Sequence, residues 1–360
     1  MKNNVSQNEF NTKRARVAAW LAEHDADAVL LGSTPNLYWL GVGGELRRVT
    51  TIAVGFVVTA EHCFLLCPHD DADRVRQEEV RGLGIEIVPL HWLGPDALVE
   101  RARALLPETT RWKCDVAGLG FETDSSVDLL RRTLQHDEIE RLRRLGHDAA
   151  AALEEVATEC YRGILERDAA ARLAAECVRR QIVPRVILSG SDERLETYTR
   201  PLPKAGAAER VLMLSLVGMR GGLHVALSRL VCLTRPEERF VERFHATLQT
   251  AARLVHHARS GEALGNVVRA AMPQPAAHLA SLGGLAGYAL PEVEARPSSR
   301  WKLEPAQVLV WCVAAPGTRC EDTYLLGESG LEPITATEGW PRRTLQVEAS
   351  SYDLPDLLLL

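Results

Sequence analysis

The sequence predicts two domains, an α/β domain over 1–133 and an α+β domain over 134–340, followed by a short tail over 341–360. Three observations carry this. A chain of 360 residues has room for two cores at about 150 residues per domain. Its N-terminal third alternates helix-like and strand-like runs, the pattern of an α/β layer with a mostly buried sheet. From Glu138 the pattern changes to long amphipathic helices and blocks of consecutive strands, which predicts an antiparallel or mixed curved sheet.

In the first domain, Val17, Trp20 and Leu21 recur at helical spacing, and the apolar run 28–31 (AVLL), ended by Gly32, reads as a buried strand. Further strands are expected at 51–58, 63–67 and 85–89, with helices at 71–82 and 95–106 between and after them. In the second domain Ile139, Leu142, Leu145, Ala149, Leu153 and Val156 form one apolar stripe, with Glu and Arg on the other face. A helix at 167–182 follows, then strands at 185–189, 210–217 and 223–233, helices at 236–258 and 262–272, and strands at 307–314 and 320–327. The terminal DLPDLLLL is too short to span a bilayer and reads as a packing or interface segment.

Composition narrows the function classes. Forty-two Lys and Arg stand against 48 Asp and Glu, and this mildly acidic balance argues against nucleic acid as a partner, which requires a concentrated cationic surface. The polar start, MKNNVSQNEFNT, has no apolar core of a secretory signal, and no run approaches the roughly 20 apolar residues of a membrane span. Eight cysteines scattered over a large chain are expected to be reduced and cytoplasmic. Cys63 and Cys67 lack a second pair at zinc-ribbon spacing and are expected to be buried strand residues.

Three segments of the sequence resemble one family. They are 36–41 (NLYWLG) in the first domain, and 303–308 (LEPAQV) and 317–323 (GTRCEDT) in the second, the last two placed after the strand pair 211–233. In order and spacing they resemble the creatinase and Xaa-Pro aminopeptidase family, peptidase M24. That resemblance implies a creatinase N-terminal-like α/β domain and a pita-bread α+β domain, and a homodimer. It also implies two divalent ions held by two Asp, one His and two Glu. Here the positions of the two Asp are Ser215 and Ala226, with Arg229 present where the family has Arg. The His position is Gly284 within 283–287 (GGLAG), the first Glu position is Cys312, and the second Glu survives as Glu321. One carboxylate among Ser, Ala, Gly and Cys does not offset the dehydration of two hard cations. No metal and no cofactor is expected.

Creatinase is a metal-independent member of the family, so loss of the ligands does not imply loss of chemistry. Its catalytic His aligns with Thr197 here, and its active-site Glu with Ser228, so the reactive groups differ from creatinase as well. Strand alternation puts His224, Ala226 and Ser228 on one face, and places Ser215, Cys312 and Glu321 toward the same cavity. His224 and Glu321 form the expected acid/base pair, and Cys312 is a candidate nucleophile if it ionises. Ser215, Ser228, Arg296, Tyr198 and His278 are the expected substrate-binding residues. Arg296 would grip a substrate carboxylate, as would Arg47 or Arg48 across a dimer interface. Two functions are weighed. The first is a metal-independent creatinase-like enzyme acting on a small amino-acid-derived substrate, by C–N hydrolysis, elimination, decarboxylation or cyclisation, in specialised biosynthesis. The second is an inactive relative that binds a peptide or protein partner in the old cleft.

Overall fold

The computed structural model describes residues 2–46, 54–92, 94–272 and 282–360. The chain divides into two units, Met1–Asp137 and Glu138–Leu360. Arg47, Arg48, His278 and the first three residues of the strand expected at 51–58 lie outside the described residues.

The first unit runs α1 (Lys2–Glu23), β1 (Ala28–Leu31), α2 (Thr34–Leu40), β2 (Gly55–Thr59), β3 (Cys63–Pro68), a helical turn α3 (Ala72–Arg74), β4 (Glu86–Leu90), α4 (Pro95–Arg103), β5 (Trp112–Cys114) and β6 (Glu122–Thr123). Its strands form one mixed sheet in the order β4-β3-β2-β1-β5-β6. Strand β1 lies between antiparallel β2 and parallel β5, and all four of its residues are buried. A strand covered on both faces reads as an unbroken apolar run, which is why AVLL shows no alternation. Cys63 and Cys67 are buried in β3.

The second unit is opened by two helices, α5 (His136–Thr158) and α6 (Glu166–Arg179). Then come β7 (Val183–Ser191), α7 (Glu193–Thr197), β8 (Val211–Arg220), β9 (Leu223–Cys232), α8 (Glu238–His257) and α9 (Leu264–Ala271). Four strands follow, β10 (Gly283–Ala286), β11 (Val293–Glu294), β12 (Val308–Ala315) and β13 (Thr318–Gly327), and then β14 (Gly330–Pro333), β15 (Arg342–Val347), β16 (Ser350–Pro355) and β17 (Leu358–Leu359). The main sheet has the order β11-β10-β12-β13-β9-β8-β7, with β14 on β13 and β17 on β9. It is antiparallel along its main path, in two groups that meet at β9 and β13 through one register pair, Glu321 opposite Ser228. Where the two strands part, the terminal apolar run takes over: β17 pairs parallel with β9 at Val231 and Cys232. The expected packing role of DLPDLLLL therefore has a concrete form, a strand added beside β9.

Helix α8 lays Phe244, Leu248, Ala251 and Val255 in the same core as Trp311 and Val313 of β12 and Tyr324 and Leu326 of β13. Each large side chain buried this way contributes about 1.5–3 kcal/mol. On the opposite face from Ser228, the adjacent Arg229 is fully engaged. It donates to Asp322 Oδ1 at 2.9 Å, Asp322 Oδ2 at 3.2 Å and the carbonyls of Ser228 and Thr335 at 2.8 and 2.7 Å. Thr335 Oγ1 donates to Asp322 at 2.8 Å and accepts from the backbone N–H of Thr323 at 3.0 Å. This network binds β9 to β13 and to the segment after β14, next to their single register pair.

Helix α5 buries Leu142, Leu145, Ala149, Leu153 and Val156 as its stripe requires, while Ile139 is half-buried. Gly146 lies on the buried face, where an added Cβ would sit 2.3 Å from the carbonyl oxygen of Ile334. Gly→Ala inside a helix ordinarily gains about 0.5–1 kcal/mol. Here the sign reverses: Gly146→Ala is expected to lower the urea midpoint of unfolding, and an unchanged or raised midpoint would show that this close approach is not tight.

Candidate functional site

Antiparallel register draws one line of side chains across four strands. Ser215 on β8 lies opposite Ser228 on β9, Ser228 opposite Glu321 on β13, and Glu321 opposite Cys312 on β12. All four are buried. Arg319, two residues before Glu321, shares its face by strand alternation and joins the row.

Glu321 is saturated by these neighbours. Its Oε2 accepts from Ser228 Oγ at 2.7 Å, from Ser215 Oγ at 3.0 Å, and from Arg319 Nη2 at 3.0 Å and Nε at 3.2 Å, while Oε1 accepts from Nη2 at 3.0 Å. Arg319 Nε also donates to Ser228 Oγ at 3.0 Å, and Nη1 donates to the carbonyl of Thr199 at 3.1 Å. Burial alone would raise the Glu321 pKa. The Arg319 charge and the hydrogen bonds from Ser228, Arg319 and Ser215 outweigh it and hold the carboxyl below its ordinary value. Burial works against the Arg319 cation too, but Glu321 more than compensates, and its pKa lies above the ordinary one. The pair is a fixed buried dipole of two full charges.

These contacts change the chemistry expected of three residues. A carboxylate held ionised by an arginine accepts protons poorly near neutral pH. Glu321 makes no bond to His224, which lies four residues from Ser228 along β9, roughly 13 Å at about 3.3 Å per residue. The expected Glu321–His224 proton exchange is therefore replaced by a Glu321–Arg319 ion pair. Cys312 is pushed up to about 12, first by burial and then by the Glu321 charge, with Arg319 and Arg200 pulling weakly the other way. Its sulfur is a neutral thiol near pH 7, not the thiolate a nucleophile requires. Ser215 and Ser228 spend their hydroxyl protons on Glu321.

A cavity of about 380 Å3 opens in front of this row. Its polar lining is Arg185, Thr199, Arg200, His224, Cys312, Arg319 and Glu321, and Val186, Val217, Leu290, Pro291 and Val310 line its apolar side. His224 is anchored at Gly287, whose carbonyl accepts the His224 backbone N–H at 2.9 Å and lies 3.2 Å from Nδ1. Of the other expected residues, Tyr198 is exposed and Arg296 makes an exposed ion pair with Glu294, and neither lines the cavity. Arg185, Arg200 and Arg319 do line it, and the sequence reading missed all three. For Arg319 the signal was present, because two residues along a strand is the same face. Arg185 sits where the β7–β8 register shifts between Pro184 and Val186, a local irregularity without a sequence signature, and Arg200 lies on the loop after α7.

The Creatinase/Prolidase N-terminal domain model matches residues 13–145, and the model of metallopeptidase family M24 matches residues 140–328. The chain belongs to family M24. Three solved structures of similar fold cover almost the whole of it. The prolidase of Pyrococcus horikoshii OT3 superposes with a TM-score of 0.75 at 18% identity, covering 91% of this chain and 99% of its own. The dipeptidase PepE of Mycobacterium ulcerans gives 0.76 at 14%, with 98% and 99% covered. The N-terminal domain of the FACT complex subunit SPT16 from Cicer arietinum, chickpea, gives 0.68 at 12%, with 91% and 96% covered. No curated protein matches the chain by sequence.

The two ions that the M24 resemblance implies do not fit this donor set. Among the described residues no three His, Cys, Asp or Glu side chains converge. The carboxylate at the surviving position is neutralised by Arg319, and the thiol beside it stays protonated. The place of the histidine is closed as well. Gly284 has φ +145°, and an added Cβ would stand 2.1 Å from the carbonyl oxygen of Val293, so the backbone admits no side chain there.

Two expectations follow. None of the eight cysteines forms a disulfide and all are buried, so a native thiol titration at pH 8 should find none reactive, and denaturant should release eight; prompt labelling of Cys312 in the folded protein would contradict the neutral buried thiol. Arg319→Met should cost about 3–5 kcal/mol at pH 7 by leaving Glu321 buried and unpaired. In the wild type, where the folded pKa of Glu321 lies below the unfolded value, its contribution is present above the unfolded value of about 4.3 and is lost as pH falls through the folded one. In the variant burial dominates and the sign inverts, so stability should rise as pH falls from 7 toward 5. Urea titrations across that range, with Arg319→Met and wild type showing parallel pH dependences, would refute this account.

Proposed function

We propose that this chain is a metal-independent M24-family enzyme that acts by acid/base chemistry on a small amino-acid-derived substrate held in the cavity before Glu321. The observation that carries the reading is the make-up of that cavity among the described residues: an arginine–carboxylate pair built into the wall, and the His224 imidazole beyond it. Hydrolysis of a C–N bond is the reaction favoured, in keeping with the dipeptidase and prolidase likeness. A proton on His224 Nδ1, donated to the Gly287 carbonyl, leaves Nε2 as the basic nitrogen. Nε2 would take a proton from the attacking water and deliver it to the departing nitrogen, while the Arg319–Glu321 pair holds the cavity's field in place. Eight cysteines without a disulfide among them suit a reducing cytoplasm. A homodimer and a role in specialised biosynthesis complete the reading, both on family resemblance.

A second reading, a binding protein without turnover for a peptide or protein partner, is favoured by one observation: Glu321, the carboxylate most able to do chemistry, is saturated. Incubating the chelator-treated protein with a metabolite extract separates the two. Turnover that survives chelation and disappears in His224→Gln is expected. Stoichiometric Mn, Co or Zn in the purified protein, with activity abolished by chelation, would overturn metal independence; no turnover of any component by folded wild type would favour the binding reading.

A further inference from the structure

Charge in the cavity wall is unbalanced. Among the described residues three guanidinium groups line it, those of Arg185, Arg200 and Arg319, against the single carboxylate of Glu321. Arg319 and Glu321 cancel one another in their ion pair. Arg185 and Arg200 have no carboxylate partner among the described residues, whereas the third arginine of the wall, Arg319, has one. Both residues are exposed at the cavity's rim, and two cations bordering one small concave space attract negative charge, because guanidinium presents paired N–H donors that match a carboxylate.

Both arginines sit on constructed parts of the fold. Arg185 falls at the β7–β8 register shift, the kind of irregularity that re-aims a strand side chain. The segment carrying Arg200 is tied down on both sides. The Thr199 carbonyl accepts from Arg319 Nη1 at 3.1 Å, the Pro201 carbonyl accepts from Ser189 N at 3.2 Å, and the Leu202 carbonyl accepts from Arg194 Nη2 at 2.9 Å. The buried Glu166 then accepts from the Lys204 N–H at 3.1 Å and from Ser191 N and Oγ, each at 2.9 Å, and pairs with Arg194. The Glu321–Arg319 pair thus places the Arg200 loop over the cavity.

We propose that the ligand of this cavity is a small dianion, a compound of dicarboxylic amino-acid type, with Arg185 and Arg200 each receiving one anionic group. The proposal rests on the functional reading above, since it names the substrate class of the same cavity. At about 380 Å3 the space lies at the small end of ligand pockets, near 300–1,000 Å3, and suits one acidic amino acid with a short substituent better than a peptide.

Calorimetric titration of the full chain tests it, with N-acetylglutamate and glutarate as dianions, N-acetylalanine as monoanion and N-acetylalanine amide as neutral control. The dianions are expected to bind about ten- to a hundredfold more tightly than the monoanion, and the neutral control not at all. Arg185→Gln and Arg200→Gln should each remove that preference, and Arg185→Lys should restore part of it, with thermal melting confirming that the variants fold. Equal affinity for monoanion and dianion, or a preference untouched by both substitutions, would overturn the proposal. His224→Gln keeps the two readings apart. Dianion binding without turnover in wild type sinks the enzyme while sparing the dianion site, and His224-dependent turnover of neutral compounds does the reverse.

Discussion

The buried ion pair of Glu321 and Arg319 is the constraint from which the rest of the second unit can be understood. It sits at the one register pair where β9 meets β13. Two full charges are there taken out of water, at a cost that mutual attraction repays only when the remaining hydrogen-bonding capacity is satisfied. Ser215, Ser228 and the Thr199 carbonyl supply that satisfaction from three other pieces of chain. The pair therefore ties β8, β9, β13 and the loop after α7 to one point. Its counterpart on the opposite face, Arg229 with Asp322 and Thr335, does the same for the segment that follows β14.

The same pair decides what the cavity does chemically. A carboxylate free to titrate would make this a site for proton transfer at Glu321, and one surrounded by further carboxylates would make it a site for cations. Held ionised by an arginine of its own strand, Glu321 is neither, and it contributes a fixed field. On the function proposed above, the reactive burden falls to His224 further along β9, and recognition to the arginines of the rim.

Much of this was legible in the sequence, for reasons that differ by element. Helix α5 and helix α8 were found because an apolar stripe at 3.6-residue spacing survives in any tertiary context that buries one face. The row of Ser215, Ser228, Cys312 and Glu321 was found because side chains alternate along a strand and the family motifs supply the order of the strands. Arg319 was overlooked although the same alternation places it, since attention to metal positions passes over the residues between them. The β15–β16 hairpin carries no turn signature. Its tight turn uses Glu348, at φ +53°, where Asn or Gly is usual, so the hairpin goes unnoticed within the tail over 341–360. Arg185 and Arg200 owe their positions to a register shift and a tethered loop, which depend on long-range hydrogen bonds and leave no local pattern.

Gly284 limits what substitution can achieve at this position. A side chain that a site lacks is ordinarily one substitution away. At this position the carbonyl of Val293 occupies the space a Cβ requires, so the main chain itself fills the gap. Restoring the imidazole would demand that β10 and β11 part first. A single substitution to histidine at this position therefore cannot be accommodated without movement of the main chain.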